Sequence, residues 1–215
     1  MEVYSEDDIK FKHPFSMMIA GPRRSGKTEF TRKLILNSET LIDEKIDRFV
    51  WFYSSTQDEL VKSLSHKVEF RKKLPDHDLE DEFSESTMER VFVVIDDLME
   101  EANKRSDVKS LFTRGRHLNV SVLFLTQNLF HRGKNNRDIS LNTDYMILFR
   151  NPRDVSIVNH IGKQMGDIVL MKEAYKKATE NPYSFLVVDM RCDSIDRLRF
   201  RSNVFDEFQT VYEKV

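Results

Sequence analysis

The sequence predicts an α/β fold, a mainly parallel central sheet flanked by helices, on three observations. Short and nearly continuous apolar runs recur along the 215 residues, as expected of strands covered on both faces. Helix-length polar or amphipathic segments separate most of these runs, the alternation that builds parallel sheets. The first run passes through a glycine turn directly into a helical stretch, the strand, turn and helix of an α/β unit.

In chain order, the first strand is expected at Phe15 to Ala20, ending at Gly21, with a helix over about Lys27 to Leu36. Further strands are expected at Arg48 to Tyr53, Val91 to Ile95, Val120 to Thr126, Tyr145 to Phe149 and Ser184 to Val188. Gln57 to Arg90 is densely charged, with basic Arg71, Lys72 and Lys73 beside an acidic segment from Asp76 to Glu85, and reads as a surface excursion of solvated helix and loop. Beyond Arg191, Ser194 to Phe200 reads as an edge strand. Val204 to Val215 has helical spacing at Phe205, Phe208 and Tyr212, aromatics expected to dock the C-terminus on the body. No repeat or long linker divides the chain, so one domain over residues 1–215 is expected, with a core of about 13–190 and a C-terminal extension of about 191–215.

Composition excludes several classes. A single cysteine, Cys192, rules out an intramolecular disulfide and favours a reducing, intracellular setting. The apolar runs fall short of the roughly 20 residues of a membrane helix, and Met1 to Lys10 is acidic and lacks an apolar signal core. With 34 basic and 36 acidic residues, the net charge of −2 is unlike that of a uniform nucleic-acid coat, so any contact with DNA has to be local.

The chemistry begins at Gly21, Pro22, Arg23, Arg24, Ser25, Gly26, Lys27 and Thr28, which match the phosphate-binding loop G-x-x-x-x-G-K-[ST], Walker A, without a gap. Glycines let the backbone curl so that its N–H groups point at phosphate oxygens, and the following helix presents its positive end to the same anions. Lys27 is expected to bridge the β- and γ-phosphates of ATP and Thr28 to ligate Mg²⁺. Two of only six glycines fall in this motif, between an apolar strand and a helix.

Val91 to Ile95 runs into Asp96 and Asp97, a Walker B pattern of buried strand and carboxylates. Asp96 fits the metal acid, and Asp97, with Glu100 as the alternative, fits the base that orients attacking water. Two exposed acids capping a helix that begins near Met99 is the competing interpretation. The interval from Thr28 to Asp96 leaves room for an additional strand, as in ASCE, RecA-like P-loop NTPases. No N-K-x-D motif of base-reading GTPases occurs.

Val120 to Thr126 ends in Gln127 and Asn128 at the same expected sheet edge, placing Gln127 as sensor of the γ-phosphate or the attacking water, with Thr126 and Asn128 as lesser candidates. Upstream, Arg114 and Arg116 are candidates for an arginine delivered to a neighbouring subunit's γ-phosphate. Lys134, Asn135 and Arg137 in a basic, amide-rich loop suit phosphate-backbone contact with DNA, with Lys104, Arg105 and Lys109 as a second cluster. The histidines and Cys192 show no zinc spacing.

Taken together, Gly21 to Thr28, Val91 to Asp97, Arg114 through His117, Thr126 with Gln127 and Asn128, and Asn142 to Arg153 resemble the genome-packaging ATPases of the FtsK-HerA superfamily. The likeness is greatest to the small poxvirus-type enzymes of Polintons, adintoviruses, virophages and related double-jelly-roll viruses. It spans roughly Phe15 to Arg153, and more weakly reaches Ile161. The resemblance implies a homo-oligomeric ring that uses ATP and Mg²⁺ to thread double-stranded viral DNA into a preformed capsid, with a capsid or portal-vertex protein as partner and the host-cell site of virion assembly as location. Against the larger packaging motors, no nuclease domain is expected within these 215 residues. Two other classes remain open: a small nucleotide or nucleoside kinase, although no arginine-rich lid or acceptor pocket is identified, and a slowly hydrolysing, nucleotide-dependent capsid-assembly protein.

Overall fold

The computed structural model describes residues 6–55, 58–84, 88–127, 139–153 and 156–214. Nine strands form one sheet: β1 (Ser16–Ala20), β2 (Arg48–Tyr53), β3 (Val68–Lys72), β4 (Val91–Asp96), β5 (Val120–Thr126), β6 (Tyr145–Phe149), β7 (Phe185–Asp189), β8 (Phe200–Ser202) and β9 (Thr210–Val211). Their order is β3-β2-β4-β5-β1-β6-β7-β8-β9. β3 through β6 in that order pair in parallel, and β7, β8 and β9 add antiparallel. β5 lies between β1 and β4, whereas the strands from the interval between Thr28 and Asp96, β2 and β3, extend the sheet beyond β4.

β1, β4, β5 and β6 are buried at every position, which explains why their sequences are apolar throughout rather than alternating. The pleat divides their side chains between two cores. On one face Met17, Ile19, Trp51 and Phe92 pack with Phe30, Leu34 and Ile35 of α1 (Lys27–Leu36). On the other, Met18, Val50, Val93 and Phe124 pack against α4 (Leu79–Ser84), α5 (Met99–Lys104), α6 (Ser106–Arg114), α7 (Ser156–Gln164) and α8 (Ile168–Ala178). Two shorter helices, α2 (Ser38–Leu41) and α3 (Asp58–Leu64), complete the α1 side, where Ile42 and Leu64 are buried.

Three expectations are corrected. The charged excursion contains α3, α4 and β3, a parallel edge strand beside β2. Only Val68 of β3 is buried, and its charges pair locally: Glu69 with Arg48 at 2.8 Å, and Arg71 with Glu82 of α4 at 2.7 Å. An edge strand clad in ion pairs has the composition of a solvated surface. The C-terminal helix does not form. Asn203 adopts a left-handed φ of 57°, Asp206 N–H donates to its carbonyl at 3.0 Å, and the chain turns into β9. Of the three aromatics, Phe205 joins the α1-side core and Tyr212 packs on the other, while Phe208 is 79% exposed. The expected edge strand at Ser194 to Phe200 is a short 3-10 turn, Asp196–Leu198, leading into β8, which lies inside the sheet between β7 and β9. Among the described residues no helix is long and apolar enough to cross a membrane.

Candidate nucleotide site

Parallel register brings the motifs together. Ala20 is level with Thr126 on one side and Leu148 on the other, and Asp96 is level with Leu125. The loop after β1, the acids after β4 and Gln127 after β5 therefore share the carboxyl edge of the sheet, where ligands bind in open α/β folds. Gly21 N–H donates to the Thr126 carbonyl at 3.3 Å, tying the loop to the β5 end.

Glycine at position 21 is dictated by contact. A Cβ there would lie 2.7 Å from both Phe149 Cβ and Ser25 Oγ. At Gly26 it is dictated by backbone, with φ at 108°. Arg24 also takes a left-handed φ, 62°, so the chain curls twice within three residues and forms a concave run of N–H groups. No side chain caps α1, leaving its first donors facing the same concavity. Ser25 Oγ is buried with no hydrogen-bond partner, a polar atom set inside the loop. These features fit a polyphosphate.

Lys27 Nζ folds over the loop, donating to the carbonyls of Gly21 at 2.7 Å and Pro22 at 2.9 Å. Burial pulls its pKa below the usual lysine value, while the nearby charges of Asp96 and Asp97 pull it up. Asp96 is only 6% exposed at the end of β4, whereas Asp97 is exposed and held at φ 55°. The helix-capping alternative for these acids is not what the fold shows: the N-cap of α5 is Leu98, with no side-chain cap bond. A Thr28 hydroxyl and an Asp96 carboxylate at one edge fit the kind of sparse protein donor set that Mg²⁺ takes when phosphates and water complete its shell. Among the described residues no cluster of three or more metal-binding side chains occurs. Glu100 falls in the first turn of α5.

Gln127 is exposed at the β5 end and, with Gly21, Asn151 and Tyr175, lines a small recess behind the loop. Sequence reasoning gave Asn151 and Tyr175 no role. The Tyr175 hydroxyl accepts from Asn151 N–H at 2.8 Å and donates to the Phe149 carbonyl at 3.0 Å, fixing the strand end against Gly21. The signal available for Asn151 was its place at the end of the strand after Gln127.

The arginines are elsewhere. The crossover from β4 to β5 returns the chain to the opposite, amino edge, so Arg114 at the end of α6 and Arg116 in the turn before β5 both lie away from their own phosphate loop. Arg116 pairs with Asp144, just before β6, and Arg114 lies 3.9 Å from Glu80 with its side chain 69% exposed. Lys104 is exposed at the end of α5. Arg105 was expected to contact DNA, but its guanidinium is engaged internally, donating to Asp107 at 2.9 Å and to the backbone carbonyls of Pro75 and His77. Lys134, Asn135, Arg137 and Asn128 lie outside the described residues.

The family model of the Poxvirus A32 protein matches residues 2–148. This chain belongs to that family. The A32-type chain is accordingly a packaging ATPase, a viral genome-packaging NTPase by class. No curated protein matches it in sequence. Among solved structures, it is similar to the genome packaging NTPase B204 from Sulfolobus turreted icosahedral virus 2. With the ATP-gammaS complex the identity is 15%, the coverage 94% of this chain and 98% of that one, and the TM-score 0.53. With the sulfate complex these are 15%, 94% and 97%, and 0.57. The cytoplasmic domain of the Thermomonospora curvata Type VII secretion ATPase EccC is similar at 15% identity and TM-score 0.54, over 81% of this chain and 24% of that one. At that identity the A32-type chain shares a fold with these P-loop ATPases.

Proposed function

We propose that this A32-type ATPase is a DNA-translocating motor that packages double-stranded viral DNA into a preformed capsid, working as a ring of identical copies with ATP and Mg²⁺ at the site of virion assembly in the host cell. The observation that carries this reading is the split of the catalytic set across two sheet edges. Lys27, Thr28, Asp96, Asp97 and Gln127 gather at the carboxyl edge, and Arg114 and Arg116 stand at the amino edge of the same chain. An arginine in that position would reach the phosphate loop of a second copy stacked head to tail, and heterologous contacts of that kind generate a ring when their rotation closes.

Within one copy the roles follow from charge and geometry. The loop N–H groups and Lys27 bind and neutralise the phosphates. Lys27 releases its bonds to Gly21 and Pro22 as it turns to them. Thr28 and Asp96 would hold Mg²⁺, which would supply charge neutralisation to the phosphates. Asp97 accepts a proton from the attacking water and Gln127 orients that water. The neighbour's arginine completes the electrostatic cradle. A capsid or portal-vertex protein is the docking partner, and the net charge of −2 suits a track that is gripped and released through a few cationic loops.

The test is ATP turnover with and without double-stranded DNA, measured for the wild type and Lys27→Ala. DNA stimulation together with a loss of about 100-fold or more in the variant is expected. Undiminished turnover in Lys27→Ala, or indifference to DNA, overturns the reading.

A further inference from the structure

Resting on the phosphate-loop reading above, we propose that Tyr183 and the aromatic cluster behind it form the shelf on which the nucleotide base stacks. The base is held by its face rather than read at its edge, so ATP and GTP bind about equally and pyrimidine nucleotides bind more weakly.

β7 pairs antiparallel to β6 with Phe149 opposite Phe185. It therefore starts at the edge where β6 ends, and the turn preceding it is delivered to the phosphate loop. Measured from the Cβ that Gly26 lacks, Phe149 Cε1 is 3.2 Å away and Tyr183 Cβ 3.6 Å. Between this wall and the first turn of α1 lies an open cavity of about 640 Å³, within the size range of small-molecule sites. A base is joined to its phosphates through a single ribose, so it must come to rest within one sugar's length of the loop. Among the described residues this cavity offers an apolar space beside the loop, and Phe149, Tyr183, Phe185 and Phe205 line it.

The shelf is built before any ligand arrives. Phe30 packs edge-on against Phe185 and Phe205, with centroids 4.8 and 5.1 Å apart, and Phe149 lies 5.4 Å from Phe185. Tyr183 differs from these rings. It is 72% exposed and its φ is 65°, a left-handed conformation that a bulky side chain rarely adopts. The Ser184 hydroxyl donates to the Asn181 carbonyl at 2.6 Å and closes the turn that holds it there. An exposed aromatic fixed in a costly backbone state beside a phosphate loop calls for a contact to compensate it, and a purine face provides one.

The polar lining explains the tolerance. Arg24, Ser25, Lys27 and Thr28 belong to the phosphate loop, Glu29 is held by Arg32 at 2.7 Å, and Lys33 lies over the Phe205 ring at 5.6 Å. Among the described residues the lining includes no Asn, Gln or Asp, the short side chains that would present a fixed donor and acceptor to a purine edge. Stacking remains, and it scales with ring area.

The test measures dissociation constants for non-hydrolysable ATP, GTP and CTP analogues and for inorganic tripolyphosphate, on the full chain and on Tyr183→Ala and Tyr183→Phe. Tyr183→Ala is expected to weaken the ATP and GTP analogues alike by about 5- to 100-fold, Tyr183→Phe to restore them, and tripolyphosphate to bind all three proteins equally. Unchanged ATP affinity in Tyr183→Ala overturns the shelf, as does a wild-type preference of more than about tenfold for one purine, since edge readout would produce that. If wild type fails to bind tripolyphosphate, the phosphate-loop reading itself is wrong and the shelf falls with it. An unchanged unfolding midpoint for the variants shows that folding is intact, as the exposure of Tyr183 leads one to expect.

Discussion

Asp96 and Asp97 are adjacent carboxylates placed in different environments by one backbone feature. β4 keeps Asp96 buried, and the left-handed turn at Asp97 swings the next side chain out to solvent. Asparagine tolerates that conformation about as well as aspartate and keeps the shape. Asp97→Asn is therefore expected to bind nucleotide normally and lose about 100- to 10,000-fold in turnover. Asp96→Asn should lose turnover together with the Mg²⁺ dependence of nucleotide affinity. Titrating analogue affinity against Mg²⁺ for both variants separates them, and loss of Mg²⁺ dependence in Asp97→Asn instead would exchange the two roles. At the opposite edge, His13 is buried, with Nε2 donating to Asn119 Oδ1 at 3.2 Å and Nδ1 accepting from Ser121 Oγ at 2.6 Å. Burial lowers its pKa below 6.5. Because the unfolded chain then takes up the proton first, stability is complete above about pH 6.5 and is lost as pH falls toward the folded-state pKa, by up to about 1.4 kcal/mol per unit. Chemical denaturation between pH 5 and 7.5 should show this slope in the wild type and a shallower one in His13→Gln; equal slopes would remove His13 as its source.

At the scale of elements, α7 and α8 cover one sheet face and meet at Gly162. A Cβ there would lie 2.8 Å from Ile168 Cα, a backbone atom that cannot swing aside, and 3.2 Å from Met171 Cβ. Gly162→Ala, normally favourable inside a helix, is expected to cost about 1–3 kcal/mol by thermal or urea unfolding, and a stabilised variant would show the two helices to be loosely docked. Elements buried on both faces were legible in the sequence. Val91 to Asp96 and Val120 to Thr126 carry apolar side chains on both sides of the pleat, so a run of one character marks the strand. β3 was illegible because a strand with one covered face at the sheet edge shows only Val68 and Phe70 between charges. Phe205, Phe208 and Tyr212 matched a helical period, but a positive φ at Asn203 is a local turn that periodicity does not register. The candidate site divides in the same way. Gly21 to Thr28 is contiguous, so its chemistry is written in one stretch, whereas Tyr183 reaches the loop only through the antiparallel return of β7, a pairing between distant segments.

At the scale of the whole molecule, the proposed function implies that activity belongs to pairs of copies, because the arginines lie away from their own phosphate loop. A Lys27→Ala subunit has a disabled pocket but carries Arg114 and Arg116. An Arg114→Ala subunit has an intact pocket but, where Arg114 is the finger, nothing to offer its neighbour. Arg114 is the better first choice for substitution because its side chain is 69% exposed and 3.9 Å from Glu80, whereas Arg116 pairs with Asp144, which also accepts from Ser16 N–H at 2.8 Å and so helps fix the start of β1. Each variant alone is expected to be inactive, the arginine variant by about 10³- to 10⁵-fold. Co-expressed in equal amounts, they assemble mixed rings in which roughly a quarter of interfaces join an intact pocket to an intact arginine. Turnover should then rise well above that of either homogeneous ring. Arg116→Ala in the same assay, with its unfolding midpoint measured alongside, shows which arginine is the finger. If neither mixture recovers activity although both assemble into rings of wild-type size, the arginines do not act across the interface, and the division of the site between the two sheet edges needs another explanation.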